Sequence, residues 1–272
     1  MSGKQLRLKR MQTAPSGRMV IFPLDHGVSC GPIPGLERMA RVIEMGSRSG
    51  TDALVLHKGM LSFLESVSSR IPSIFMHLSA STNLGPHFHY KVLVGSVEEA
   101  LRRGVDGVSM HINLSDIHEP DMLRDLGRIG AACAEWQMPL LVMIYVRGEH
   151  APSPVPDSAI AHSARLAAEL GADLIKIPAP AETDTLAEIA ASLPVPVVVA
   201  GGSKTDSPEV FLNRLGQILD TGVHGVAIGR NIFQRRQPEA LLKAVCAMVH
   251  QKAAPEEALA VYQASASKVH DI

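Results

Sequence analysis

Residues 157–177, DSAIAHSARLAAELGADLIKI, carry the unit from which this chain is built. Asp157–Leu170 reads as a helix, and Gly171 falls just past its end, where glycine commonly caps. Asp173–Ile177 then runs aliphatic with little alternation, as a parallel strand buried on both faces does. The junction Leu170-Gly171-Ala172-Asp173 has two counterparts, Arg103-Gly104-Val105-Asp106 and Thr221-Gly222-Val223-His224, each leading into another apolar run.

Working outward, eight apolar runs are present: Met19–Leu24, Ala53–His57, Ser73–Leu78, Gly107–His111, Leu140–Tyr145, Asp173–Ile177, Val195–Ala200 and Gly225–Ile228. Helix candidates lie between and after them, at Leu36–Arg48, Val97–Arg103, Asp121–Trp136, Asp157–Leu170, Thr183–Leu193, Pro208–Thr221 and Pro238–His250. Ser96 with Glu99 three residues on predicts a capping box. Eight β-then-α units in 272 residues predict an α/β fold, a (β/α)8 TIM barrel. An open doubly wound sheet is the competing architecture, and no G-x-G-x-x-G follows the first run to support it. The third unit is the least regular, with a polar and aromatic insertion at Ala80–Tyr90. No composition break or low-complexity linker divides the chain, so one domain is expected over 1–272, with 1–18 as an N-terminal extension and 252–272 as a C-terminal tail.

Hydrophobic residues make up 46% and charged residues 19%, a globular balance. Lys and Arg number 26 against 27 Asp and Glu, which argues against a broad basic surface for nucleic acid. Met1–Arg10 is basic but leads into no apolar h-region, so no secretory signal is expected. The longest apolar runs are far too short to span a bilayer, so no membrane partner is expected. Cys30, Cys133 and Cys246 are odd in number and form no CxxC pair, which points to buried thiols in a cytoplasmic protein.

In such a barrel, chemistry gathers at the C-terminal ends of the strands. Lys176 lies there, inside the apolar sixth run. Buried lysine is rare without a partner; its neutral amine attacks carbonyls, and the other reading is a structural ion pair with a carboxylate. Asp25 ends the first run, either as a proton-relaying partner of that lysine or as a helix or turn cap, and His26 beside it is expected to point the other way. Tyr145 ends the fifth run as a proton donor or a rim aromatic, and Arg147 can hold an anion or a rim salt bridge. Gly201-Gly202-Ser203-Lys204 and Gly229-Arg230-Asn231 follow the seventh and eighth runs, where barrels commonly hold phosphate on glycine N–H groups, with Arg230 adding charge. His57, His77 and His111 end the second to fourth runs, with His87 and His89 in the insertion; Lys58 and Lys176 place positive charge close by, so these rings read as polar lining rather than as zinc ligands.

Taken together, Phe22–Pro34, Leu56–Gly59, Met138–Gly148, Ala172–Lys176, Val197–Thr205 and Gly225–Gln234 resemble the DhnA-type class I aldolases over nearly the whole chain. The resemblance implies Lys176 as the Schiff-base lysine, Tyr145 as proton donor and Asp25 as acid/base partner. It implies a sugar-phosphate site at Gly202, Ser203, Gly229 and Arg230; Gly201, Arg147, His26 and Lys58 are further candidates for holding substrate. It also implies no metal or organic cofactor, phosphorylated ketose and aldehyde substrates, and a homo-oligomer, a decamer being one such assembly. The fructose-bisphosphate members tend to carry Trp two residues before the tyrosine; Met143 stands there, which favours the branch that joins a ketose-phosphate enamine to an aldehyde such as L-aspartate semialdehyde. Ile177-Pro178 departs from the Thr-Ser or Thr-Asn of many relatives. Two alternatives are a fructose-bisphosphate aldolase and a non-catalytic phosphosugar-binding barrel.

Overall fold

The computed structural model describes residues 1–12 and 14–267. All eight apolar runs are strands: β1 Met19–Pro23, β2 Ala53–Leu56, β3 Ser73–His77, β4 Gly107–Leu114, β5 Leu140–Val146, β6 Leu174–Ile177, β7 Val197–Ala200 and β8 Gly225–Ala227. They close into a parallel barrel in chain order, β8 pairing with β1. The helices are α1 Gly3–Met11, α2 His26–Cys30, α3 Met39–Ser49, α4 Val97–Arg102, α5 Glu119–Glu135, α6 Asp157–Glu169, α7 Thr183–Ser192, α8 Pro208–Asp220, α9 Arg230–Phe233, α10 Pro238–Gln251 and α11 Pro255–Ser267, with a 3-10 helix at Lys58–Ser66.

Strand alternation sorts the side chains into two cores. Val20, Phe22, Leu54, Leu56, Val142 and Ile175 face outward and pack beneath the helices. Met19, Ile21, Ala53, Val55, Phe75, Leu141, Leu174 and Val198 face inward and fill the barrel. The same alternation puts Ser109, His111 and Asn113 of β4, Tyr145 of β5 and Lys176 of β6 on the inner face, toward the C-terminal mouth.

The recurring junction phrases do more than turn the chain. Gly171 has a φ of 95°, a left-handed conformation that glycine adopts without a Cβ penalty. The polar residue ending each phrase reaches sideways to the strand before it. Asp106 Oδ2 accepts from the Ile74 N–H at 2.9 Å, Asp173 Oδ2 from Leu140 at 2.9 Å, and His224 Nδ1 from Val197 at 3.3 Å. Asp52, before β2, takes the Val20 N–H at 2.6 Å. Each even-numbered strand therefore staples the N-terminal end of the odd-numbered strand before it, pairing an N–H that would otherwise be buried alone.

Two terminal segments carry helices, and two expectations are corrected. Within the N-terminal extension, α1, with a Ser2–Gln5 capping box, closes the N-terminal mouth, and its Met11 is fully buried with Leu8 against the inner core. The tail contains α11, which Gln237 Nε2 meets at Ala266 O at 3.4 Å; residues 268–272 of that tail lie outside the described residues. The capping box at α4 is half formed. Ser96 Oγ accepts from the Glu99 N–H, but the Glu99 carboxylate turns to Lys58 and Arg103, whose two cations outcompete one N–H. Among the thiols, Cys133 and Cys246 are buried as expected, but Cys30 is exposed because α2 lies at the barrel mouth.

The insertion after β3 begins and ends on an antiparallel pair, Ser79–Ala80 with Val92–Leu93. Its Asn83 N–H donates to Ser29 O at 3.0 Å and its His89 O accepts from Asn113 Nδ2 at 2.7 Å, so it lies over the barrel mouth.

The staples can be tested far from any chemistry. Asp106→Ala leaves the Ile74 N–H unpaired, and chemical denaturation should show a loss of ~1–3 kcal/mol. Activity per folded molecule should stay at the wild-type level; an unchanged stability would remove the staple from the account.

Candidate active site

A cavity of about 460 Å³ opens at the C-terminal mouth, lined by residues from the ends of β1, β4, β5, β6, β7 and β8 and by the insertion. At its centre is Lys176, 8% exposed. Register places Lys176 beside Met143 on β5, and its Nζ sits 3.9 Å from the Met143 sulfur. Among the described residues no carboxylate stands within ion-pairing distance of that nitrogen. A structural ion pair is thus not what holds this lysine in the barrel.

Asp25 faces the same space. It occupies the N-cap position of α2 yet makes no capping hydrogen bond with its side chain. The carboxylate instead meets His26 Nδ1 at 3.7 Å and His77 Nε2 at 3.9 Å. Burial alone would raise this carboxyl; His77, His26, Lys176 and His57 outweigh it and hold Asp25 well below the ordinary carboxylate range. Burial pushes His77 down to about 3 in spite of Asp25, so its ring is neutral at neutral pH. Burial also lowers His26 and His57.

His26 lines the cavity rather than turning away. The strand ends at Pro23, so alternation no longer governs residues 25 and 26, and the first turn of α2 presents both. Its ring sits 5.2 Å from Phe233, edge-on, and against Gly229, where an added Cβ would come within 2.7 Å of it.

Of the strand-end histidines, His111 is among the residues that line the cavity, and His57 and His77 are not. His77 Nδ1 shares a hydrogen bond with Ser109 Oγ at 2.8 Å, and His111 Nε2 with Asn113 Oδ1 at 2.9 Å. The His57 ring packs edge-on to His77 at 5.1 Å, and burial holds His111 well below its ordinary range. Tyr145, 8% exposed, lies one strand from Lys176 and two residues above Met143. Its ring is covered by the Arg147 guanidinium at 4.1 Å and flanked by His111 at 5.0 Å, which leaves the phenol as a polar tip over the cavity.

Across the mouth, β7 and β8 end in two glycine turns. Gly202 has a φ of 71° and open space where a side chain would stand. Asn231, fully buried, holds the loop: its Nδ2 donates to Gly201 O at 2.9 Å and Ser203 O at 2.7 Å, and its Oδ1 accepts from the Thr205 N–H at 3.0 Å. Those carbonyls face Asn231, while the N–H groups of Gly202, Ser203, Gly229 and Arg230 donate to no acceptor among the described residues. Arg230 reaches over with Nη2 3.4 Å from Gly202 O. Free N–H groups beside a guanidinium form a cradle for an oxyanion.

Of the residues singled out in the sequence, Lys176, Asp25, His26, Tyr145, Arg147, Gly201, Gly202, Gly229 and Arg230 converge on the cavity. Ser203 lies just outside the lining, its carbonyl tied to Asn231. Lys58 is not brought there: it starts the 3-10 helix after β2 and pairs with Glu99 at 3.2 Å. Sequence reasoning missed Asn231 as the clamp of the cradle, and it missed Lys91, which enters the cavity from the far end of the insertion. A lysine in a polar segment gives no periodic signal of burial, and only the fold turns it inward.

Residues 19–235 match the family model described as DeoC/LacD family aldolase. Two curated relatives are similar along almost their whole length. A 2-amino-4,5-dihydroxy-6-oxo-7-(phosphonooxy)heptanoate synthase of Streptomyces griseus is 37% identical over 247 residues, 91% of this chain and 90% of that protein. A 2-amino-3,7-dideoxy-D-threo-hept-6-ulosonate synthase of Archaeoglobus fulgidus is 37% identical over 259 residues, 95% of each. Among solved structures, a Schiff-base-forming fructose-1,6-bisphosphate aldolase superposes with a TM-score of 0.82 at 28% identity, covering 90% of this chain and 99% of that one.

The cradle predicts a measurable anion affinity. Arg230→Ala should weaken binding of inorganic phosphate about 10- to 150-fold in calorimetry, the range expected for ~1.5–3 kcal/mol of charge-assisted hydrogen bonding. Unchanged phosphate affinity would place the anion elsewhere.

Proposed function

The chain belongs to the DeoC/LacD family of aldolases, and from that membership we propose that it is a Schiff-base synthase joining a ketose-phosphate-derived enamine to an amino-acid semialdehyde. The observation that carries this reading is Lys176: an amine inside an apolar barrel, free of any ion pair among the described residues, with Asp25 and Tyr145 around it and an oxyanion cradle across the mouth.

In this reading the Lys176 nitrogen adds to the ketone carbon, and the carbonyl oxygen takes a proton to give a carbinolamine. Loss of water gives the imine. The imine then draws in an electron pair, either from a carbon–hydrogen bond whose proton passes to a base at the mouth or from a carbon–carbon bond whose other fragment leaves as an aldehyde, and an enamine results. The enamine carbon attacks the aldehyde carbon of the second substrate, and the new alkoxide takes a proton. Water returns to the imine and frees Lys176 with the product. Tyr145 hydroxyl serves the hydroxyl that gains or loses its proton, and Asp25, held ionised, balances charge on the lysine nitrogen as it changes. The cradle of Gly202, Gly229 and Arg230 takes the phosphate.

The product named for the Streptomyces relative supports the choice of partners. It is a seven-carbon chain with a carboxylate at C1, an amine at C2, a ketone at C6 and a phosphate on C7. A β-hydroxy ketone across C4 to C6 is the mark of an aldol bond between C4 and C5. Cutting there returns dihydroxyacetone phosphate and aspartate semialdehyde. The archaeal relative's product lacks the C7 oxygen, which fits a different ketose phosphate as donor. Met143 in place of a tryptophan beside Lys176 favours this synthase reading over fructose-bisphosphate cleavage.

Borohydride reduction in the presence of dihydroxyacetone phosphate should add the reduced substrate to the peptide bearing Lys176 and nowhere else. A label on another residue, or one that persists in Lys176→Met, would overturn the imine. Tyr145→Phe keeps the ring beneath Arg147 and His111 and removes one proton, so turnover should fall ~10²–10⁴-fold while borohydride labelling survives. Near-normal turnover in that variant would move the proton transfer to another group.

A further inference from the structure

The cavity has a second cationic end. Lys91 lines it and is 6% exposed. Its Nζ hydrogen-bonds the Ser81 hydroxyl, which itself donates to Phe88 O at 2.6 Å, and lies 4.8 Å over the Phe88 ring. No carboxylate lies within ion-pairing distance of this nitrogen among the described residues. An ammonium carries three donors, and one hydroxyl and a ring face leave the rest unused. At longer range Asp25 attracts the Lys91 charge and Arg147 repels it, and the Arg147 guanidinium, stacked on Tyr145, makes no side-chain hydrogen bond or ion pair among the described residues. The two cations repel each other, and burial pushes Lys91 down to about 8. An anion between them would relieve both costs.

Topology places this end opposite the phosphate cradle. Lys91 closes the insertion after β3, and the cradle follows β7 and β8. In a closed eight-stranded barrel, strands four places apart face each other across the mouth, as β3 does β7 and β4 does β8. A substrate imine at Lys176 with its phosphate in the cradle must extend its reacting carbon away from the cradle, toward Lys91.

We propose that Lys91 and Arg147 form a second anion subsite, which holds the carboxylate of the aldehyde substrate and so aims its carbonyl carbon at the enamine. This rests on the aldolase reading of Lys176. It gives the cavity one anion site for each substrate: phosphate on the β7–β8 side and carboxylate on the β3–β5 side. In the seven-carbon product the two anionic groups stand at opposite ends of the chain, as the two cationic ends of the cavity do. Lys91 is then a specificity-determining residue, selecting acidic aldehydes over neutral ones, and the insertion at Ala80–Tyr90 is the element that carries it in.

The test separates this subsite from a lysine that only pins the insertion. Lys91→Met and Lys91→Arg are compared with dihydroxyacetone phosphate as donor and three acceptors: succinic semialdehyde, butanal and glyceraldehyde 3-phosphate. Lys91→Met should raise KM for succinic semialdehyde about 10- to 100-fold, leave that for butanal unchanged, and leave borohydride labelling of Lys176 at the wild-type level. Lys91→Arg should retain most of the affinity for the carboxylated aldehyde. Equal losses with succinic semialdehyde and butanal would reduce Lys91 to a structural pin. A larger loss with glyceraldehyde 3-phosphate would make the subsite a second phosphate site; both results overturn the proposal. Succinate binding by calorimetry is read in parallel and needs no turnover. It should weaken by a similar factor in Lys91→Met, and equal affinity in the two proteins would also overturn it. If dihydroxyacetone phosphate fails to label the wild-type enzyme, the aldolase reading fails by itself, and the succinate measurement still decides the subsite.

Discussion

An amine that projects into a closed, aliphatic barrel loses most of its solvation, and the architecture of the mouth answers that one constraint. Lys176 sits above layers of Leu174, Leu141, Val198 and Ile21, which give it nothing polar to hold. The compensation comes from across the barrel, where Asp25 stays ionised in spite of burial. His77 and His111 are neutral imidazoles tied to Ser109 and Asn113, and among the described residues the lysine has no direct salt bridge.

That arrangement depends on strand register. Lys176 pairs with Met143, and Asn113 with Tyr145. A slip of one residue would send Lys176 and Tyr145 under the helices and bring Ile175 and Ile144 inward. The side-chain staples at the opposite end guard against such a slip. Asp52, Asp106, Asp173 and His224 each fasten the strand before their own, and α1 seals the opening that they frame. The N-terminal end of the barrel therefore holds the order on which the cavity at the C-terminal mouth depends, the division of labour expected of this fold.

The mouth itself is divided by charge. On one side the glycine turns after β7 and β8 expose backbone N–H groups, and Asn231 fixes the turn by taking its carbonyls. On the other, the insertion after β3 brings a buried lysine into the cavity that Arg147 also lines. The two sides differ in construction. Main-chain donors suit an oxyanion with several equivalent oxygens, whereas a lysine in a hydroxyl-and-ring socket offers one point charge.

The barrel, its eight strands and their order were legible in the residues, because parallel strands buried on both faces read as unbroken aliphatic runs and glycine marks the helix ends between them. Lys176, Asp25, Tyr145, the two glycine turns and Arg230 were legible too, since each ends a strand and the fold sends strand ends to one place. Other features belong to the tertiary structure alone. Lys58 also follows a strand, yet a 3-10 turn and the Glu99 carboxylate carry it away from the mouth. His26 was expected to turn outward by alternation, but β1 stops at Pro23 and a helical turn presents it inward. Lys91 lies in a segment without periodicity, and its burial arises from the insertion folding back over the barrel. Periodic residues announce their surroundings because neighbours along the chain share one face. A residue whose surroundings come from distant segments carries no such mark, and closure of the barrel decides where it points.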